Sequence, residues 1–94
     1  MGVEKLFDEV KLALRIKNTA YNEEIQTLID ACKLDLALAG IINIDEENDA
    51  LIKRAIITYC KANFGWDNSE AERLQQAYNM LKMHLSLAGD YNAI

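Results

Sequence analysis

The 94-residue chain has no proline and only 4 glycines. Proline is the strongest breaker of helices, and glycine the next, so this chain can run in long uninterrupted helices. Half of its residues, 51%, are hydrophobic. That is too apolar for a disordered tail, and the length suits a single domain with a small core. Residues 1–94 are therefore read as one helical domain, with 89–94 as a short C-terminal tail.

Apolar residues recur at helical spacing in four places. Helix one is expected from Val3 to about Arg15, with Val3, Leu6, Phe7, Val10, Ala13 and Leu14 on one face. Asn22 is placed to cap helix two, with Glu23 and Glu24 in its first turn. Ile25, Leu28, Ile29, Cys32 and Leu36 form its stripe, Leu34 and Leu38 lie off it, and Gly40 stops it. Asn48 or Asp49 caps helix three, whose stripe is Ile52, Ala55, Ile56, Tyr59 and Cys60, with Ile57 outside. Ser69 and Glu72 have capping-box spacing for helix four, which carries Leu74, Ala77, Tyr78, Leu81, Leu85 and Ala88 on one face. No stretch alternates at strand spacing. The fold class is all-α: a small bundle of four main helices with short connecting loops.

Charge narrows the function. The net charge is −5, with −2 in residues 1–40 and −3 in residues 41–94, so no basic domain hides behind an acidic tail. Nucleic-acid binders carry a basic face, and Lys53, Arg54 and Lys61 are too few to argue for one. No run of about 18 apolar residues suggests a membrane span. MGVEKLFDEV lacks a signal-peptide pattern, and Leu6 stands where a myristoylation motif needs Ser or Thr.

Catalytic and metal chemistry find little to work with. His84 is the single histidine, and Cys32 and Cys60 stand far apart inside helical patterns. They read as reduced core thiols of a cytosolic protein rather than as a nucleophile or zinc ligands. Asp45, Glu46, Glu47 and Asp49 lack the central glycine and alternation of a calcium loop. No glycine-rich phosphate loop is present. No catalytic, metal or cofactor residue is assigned, and an enzyme is not expected.

Phe64-Gly65-Trp66 falls at a helix stop just before a helix start. Phe64 and Trp66 are expected to fold over the corner between helices three and four, with Tyr59 and Tyr78 beneath it. Trp66 also suits a subunit interface, where tryptophan is enriched.

Two stretches carry a resemblance. LALRIKNTAYNEEIQTLIDACKLDLALAGI (Leu12 to Ile41) and ALIKRAIITYCKANFGWDNSEAERLQQAYNMLKMHLSL (Ala50 to Leu87) resemble the two halves of the head–tail connector, or adaptor, proteins of tailed bacteriophages and prophages. The shared features are a Leu-Arg-Ile helix end, an Ile-x-x-Leu-Ile-x-Ala helix, a Phe-Gly corner and a helix opening at Ala-Glu-Arg. Asn22 stands where relatives usually carry an aspartate, and asparagine caps equally well.

The resemblance implies a structural subunit in the virion, made in the host cytoplasm and also described as a DNA packaging protein. Such subunits form a homo-oligomeric ring beneath the portal protein after packaging and extend the DNA channel. A tail or stopper protein docks on the ring, DNA passes without specific binding, and no cofactor or membrane is involved. A ring subunit needs two different faces. Leu34, Leu38, Ile57, Met80 and Leu87, lying outside the core stripes, together with Trp66 are the expected interface residues. The rival readings are a DNA-binding subunit of the packaging motor, which needs a basic recognition helix, and a small helical regulator. On this reading Trp66→Ala lowers the melting temperature or blocks assembly in sedimentation. A variant unchanged in both removes the role given to Trp66.

Overall fold

Helices α1 (Lys5–Leu14), α2 (Asn22–Leu38), α3 (Ala50–Asn63) and α4 (Ala71–Leu87) make up the computed structural model, followed by a 3-10 turn at Gly89–Tyr91. The structure describes residues 5–42, 44–46, 48–65 and 68–91. Expectations for Val3 and Trp66 lie outside these residues.

The helices pack around α3, which touches each of the other three, while α1 also touches α2. The apolar stripes close on one cluster. It joins Leu6 and Val10 of α1, the α2 stripe, Ile52, Ala55, Ile56 and Cys60 of α3, and Tyr78 and Leu85 of α4. Each fully buried Ile or Leu contributes about 1.5–3 kcal/mol relative to exposure. Tyr59 and Ile57 are part-buried against this cluster. Ala77, expected on the core face of α4, is exposed. Tyr78 and Leu85 set that helix's inward direction, and Ala77 instead borders an open groove. The body measures 41 × 34 × 18 Å, so it is about two helices thick.

The helix ends show which local signals act. Gly40 adopts φ +88°, and its N–H donates to the Ala37 carbonyl at 3.0 Å. The Ile41 N–H donates to the Leu36 carbonyl at 3.0 Å. This is the double closure of a Schellman end, with Ile41 and Leu36 both fully buried. The end of α1 repeats it without a glycine. Arg15 sits at φ 63°, its N–H donating to the Leu12 carbonyl and the Ile16 N–H to the Lys11 carbonyl, both at 3.0 Å.

Two expected caps do not form. Asn22 is the first residue of α2 rather than its cap, and Tyr21 in the cap position makes no side-chain bond. The turn before the helix is held by Asn18, whose Oδ1 accepts the Ala20 N–H at 3.0 Å, so the chain becomes helical one residue too early for Asn22 to cap. Asn22 Oδ1 is buried with no hydrogen-bond partner among the described residues. Likewise Ser69 and Glu72 make no capping box, because α4 begins at Ala71. Asn68 shapes that corner instead. Its Oδ1 accepts the Glu70 N–H at 3.0 Å, and its Nδ2 donates to the Lys61 carbonyl at 2.7 Å.

Asp49 does cap α3, its Oδ1 accepting the Leu51 N–H at 2.9 Å and the Ile52 N–H at 3.3 Å. Its Oδ2 accepts the Tyr91 hydroxyl at 2.7 Å, and the Ile42 N–H donates to the Tyr91 carbonyl at 2.9 Å. The turn at Gly89–Tyr91 is thus bound to the loop that precedes α3. The Tyr91 hydroxyl, aided by the two cap N–H groups against some burial, holds the Asp49 carboxyl below its ordinary value.

Arg15→Gly is expected to raise stability by about 0.5–1 kcal/mol, because relief of left-handed strain exceeds the added freedom of the unfolded chain. Urea unfolding checks this, and a loss of stability would mean that the Arg15 side chain contributes more than its backbone costs.

Candidate functional site

Among the described residues Tyr78 is the largest fully buried side chain. Its hydroxyl donates to Asp35 Oδ2 at 2.6 Å, linking α4 to α2. Lys82, one turn further along α4, donates to the same oxygen at 2.9 Å, and its ammonium lies 5.3 Å from the Tyr78 ring centre. The Cys32 thiol, one turn before Asp35, donates weakly to the tyrosine oxygen at 3.7 Å. Tyr59 of α3 closes the group with its ring edge-on to Tyr78, centroids 5.1 Å apart.

These contacts set the protonation states. Burial works to raise the Asp35 carboxyl, but the bonds from Tyr78 and Lys82 and the lysine charge outweigh it, so Asp35 stays below its usual value. Burial and the neighbouring carboxylate push the Tyr78 hydroxyl far up. Burial pushes the Cys32 and Cys60 thiols up to about 12. Both are free, buried and protonated at neutral pH, which is the opposite of an activated nucleophile. His84 is exposed in the last turn of α4. Among the described residues no group of three or more His, Cys, Asp or Glu side chains is placed to hold a metal ion. No helix of the described residues is long and apolar enough to cross a membrane.

The expected corner residues divide into two groups. Tyr59 and Tyr78 face each other inside the bundle. Phe64, which ends α3, meets Tyr21 of the α1–α2 connection edge-on, with centroids 5.4 Å apart. Gly65 follows with φ +74° and is exposed. Phe64, Gly65, Tyr21 and Ile16 line an open hollow of about 560 Å³. Tyr21 was missed in the sequence because it stands alone in a polar connector, with no periodicity to mark it. Asp35 was missed because its partner is 43 residues away.

The expected interface residues lie mostly at the surface. Leu34, Leu38, Met80 and Leu87 are exposed, Leu38 by 87% and Leu87 by 76%. Ile57 is part-buried and borders a groove of about 730 Å³ between the outer side of α3 and the start of α4. Four cations reach this groove: Lys53, Arg54, Lys61 and Arg73. Lys53 pairs with Glu9 at 3.2 Å and Arg73 with Glu70 at 2.6 Å. A smaller hollow of about 250 Å³ continues along α3 and α4 past Met80 and His84. The exposed Leu12, Ile42, Leu51 and Met83 add further apolar surface.

The geometry defines a module of helices packed on α3, with α4 tied to α2 through Tyr78 and Asp35. Its sequence defines the class: the model of the phage connector protein family matches residues 6–92. The chain belongs to the phage connector protein family, and the match takes in the Tyr78–Asp35 anchor, the Phe64 corner and every exposed apolar residue discussed above. No curated protein and no solved structure matches the chain significantly.

Tyr78→Phe is expected to lower stability by about 1–2 kcal/mol at pH 7, since a hydrogen bond to a carboxylate is lost. The Asp35 carboxyl is depressed in the folded state. Its contribution is therefore full above the ordinary carboxylate range and falls away as pH drops through the folded value. The gap between wild type and variant should narrow below about pH 4. Urea melts across pH check this, and a gap that stays constant to pH 2.5 would contradict the ionic character of the bond.

Proposed function

We propose that this protein is a structural subunit of the head–tail connector, a ring that docks on the portal protein after DNA packaging. The ring extends the DNA channel toward the tail and offers a tail or stopper protein its docking surface. The observation that carries this reading is the family match across residues 6–92. The molecule suits the role physically. Several large apolar side chains are left outside its core, on more than one helix, as a subunit with two neighbours requires. The net charge of −5 keeps DNA weakly held, which favours sliding over capture. Residues Leu34, Leu38, Ile57, Met80 and Leu87 belong to the contacts between subunits in this reading, as does Trp66. Phe64, Gly65, Tyr59 and Tyr78 fix the shape of the α3–α4 pair that presents Ile57, Met80 and Leu87, while Leu34 and Leu38 are presented by α2.

Co-sedimentation with the portal protein of the same phage tests the proposal. The expected outcome is a portal-bound fraction, together with no shift of duplex DNA at physiological salt. Failure to bind the portal would overturn the connector role. Tight duplex binding would favour a DNA-handling subunit of the packaging motor instead.

A further inference from the structure

The outer sides of α2 and α3 carry opposite charges at the same spacing. On α2 the buried residues Ile25, Ile29, Cys32 and Leu36 face inward. By helical geometry the opposite stripe is Glu23, Thr27, Asp30, Leu34 and Leu38, and all five are exposed. Glu23 and Asp30 are seven residues apart, about 10 Å along the helix axis. On α3, Arg54 and Lys61 are also seven residues apart, both exposed and both in the large groove. Lys33, Lys53, Arg73 and Lys82 each have a carboxylate partner, whereas Arg54, Lys61, Glu23 and Asp30 form no ion pair with another described residue.

The order of chemistry along the two surfaces also agrees. The α2 stripe runs from acidic at Glu23 and Asp30 to apolar at Leu34 and Leu38. The groove runs from basic at Lys61, beside Arg73, through Arg54 to the exposed Met80. None of the α2 stripe lines the groove, so one molecule can offer both surfaces at once.

We propose that the α3–α4 groove of one copy receives the outer stripe of α2 from a second copy, with Glu23 beside Lys61, Asp30 beside Arg54, and Leu34 and Leu38 against Met80. This rests on the ring-subunit reading and names its two faces. The contact is head-to-tail, so each copy keeps one free groove and one free stripe, and the series closes into a ring when the rotation between copies permits. Apolar burial supplies the attraction. The exposed charge pairs, each weak alone, fix the register and reject the reversed docking.

The test uses the full chain and two charge-reversed variants, Glu23→Lys/Asp30→Lys and Arg54→Glu/Lys61→Glu. All four positions are exposed, so both variants should keep the helical content of the wild type and melt only slightly lower, because Glu23 lies in the first turn of α2 and Lys61 in the last turn of α3, where the helix dipole favours the native charges. Sedimentation is followed up to about 1 mM protein, the range that detects even millimolar contacts. The wild type is expected to gain mass with concentration, and each variant alone to associate at least about tenfold more weakly. Their equimolar mixture, in which every junction again pairs a base with an acid, is expected to regain the wild-type mass. A wild type that stays monomeric to the highest concentration overturns the inference, as do variants that assemble normally or a mixture that gains nothing. A monomer that still co-sediments with the portal would overturn these two faces while leaving the connector role in place.

Discussion

The hydrogen bond from the Tyr78 hydroxyl to the Asp35 carboxylate is the contact on which the geometry of the molecule turns. Both α2 and α4 pack on α3, and apolar packing alone would let either rotate about its own axis at modest cost. A 2.6 Å bond between a buried hydroxyl and a carboxylate, reinforced by Lys82 at 2.9 Å, does not tolerate such rotation. With Asp35 turned toward α4, the stripe containing Leu34 and Leu38 must point outward. With Tyr78 turned inward, Ala77 and Met80 must border the groove. The surfaces available to partners are consequences of this internal anchor.

A second bond of the same kind works at the other end of the chain. Asp49 caps α3 through one carboxylate oxygen and receives the Tyr91 hydroxyl on the other. The start of the central helix and the turn after α4 are therefore tied at a single residue. In both places a tyrosine supplies an apolar ring for the core and a hydroxyl for a half-exposed carboxylate. That combination lets a small domain position its helices without burying a charge.

The elements were legible in the sequence where a signal is periodic or tied to backbone geometry. The α2 and α3 stripes closed on the core at Ile25, Ile29, Cys32, Leu36, Ile52 and Ile56 because helical spacing dictates one face. Gly40 was readable because a left-handed end favours glycine, whereas Arg15 adopts the same conformation without announcing it. Caps were less legible, since several Asx and Ser residues compete within a few positions. Asn18 and Asn68 shape the turns, and Asn22 and Ser69 do not cap. Pairings such as Asp35 with Tyr78 were out of reach because helix periodicity carries no record of which helices become neighbours. Leu34 and Leu38 were recognisable as outsiders to their stripe, but the basic groove required α3 and α4 to be seen side by side.

Family membership and surface chemistry point the same way. Under the proposed ring role a subunit must hold its own fold while keeping two unlike faces open, and this chain ties its helices with part-buried bonds such as Tyr78 to Asp35 and leaves large apolar side chains outside. Electron cryomicroscopy of the protein bound to the portal ring tests that account most directly. It predicts a closed ring of copies, each with the outer stripe of α2 seated in the α3–α4 groove of its neighbour. Isolated copies on the portal, or a ring joined through other surfaces with the stripe and groove both open to solvent, would contradict it.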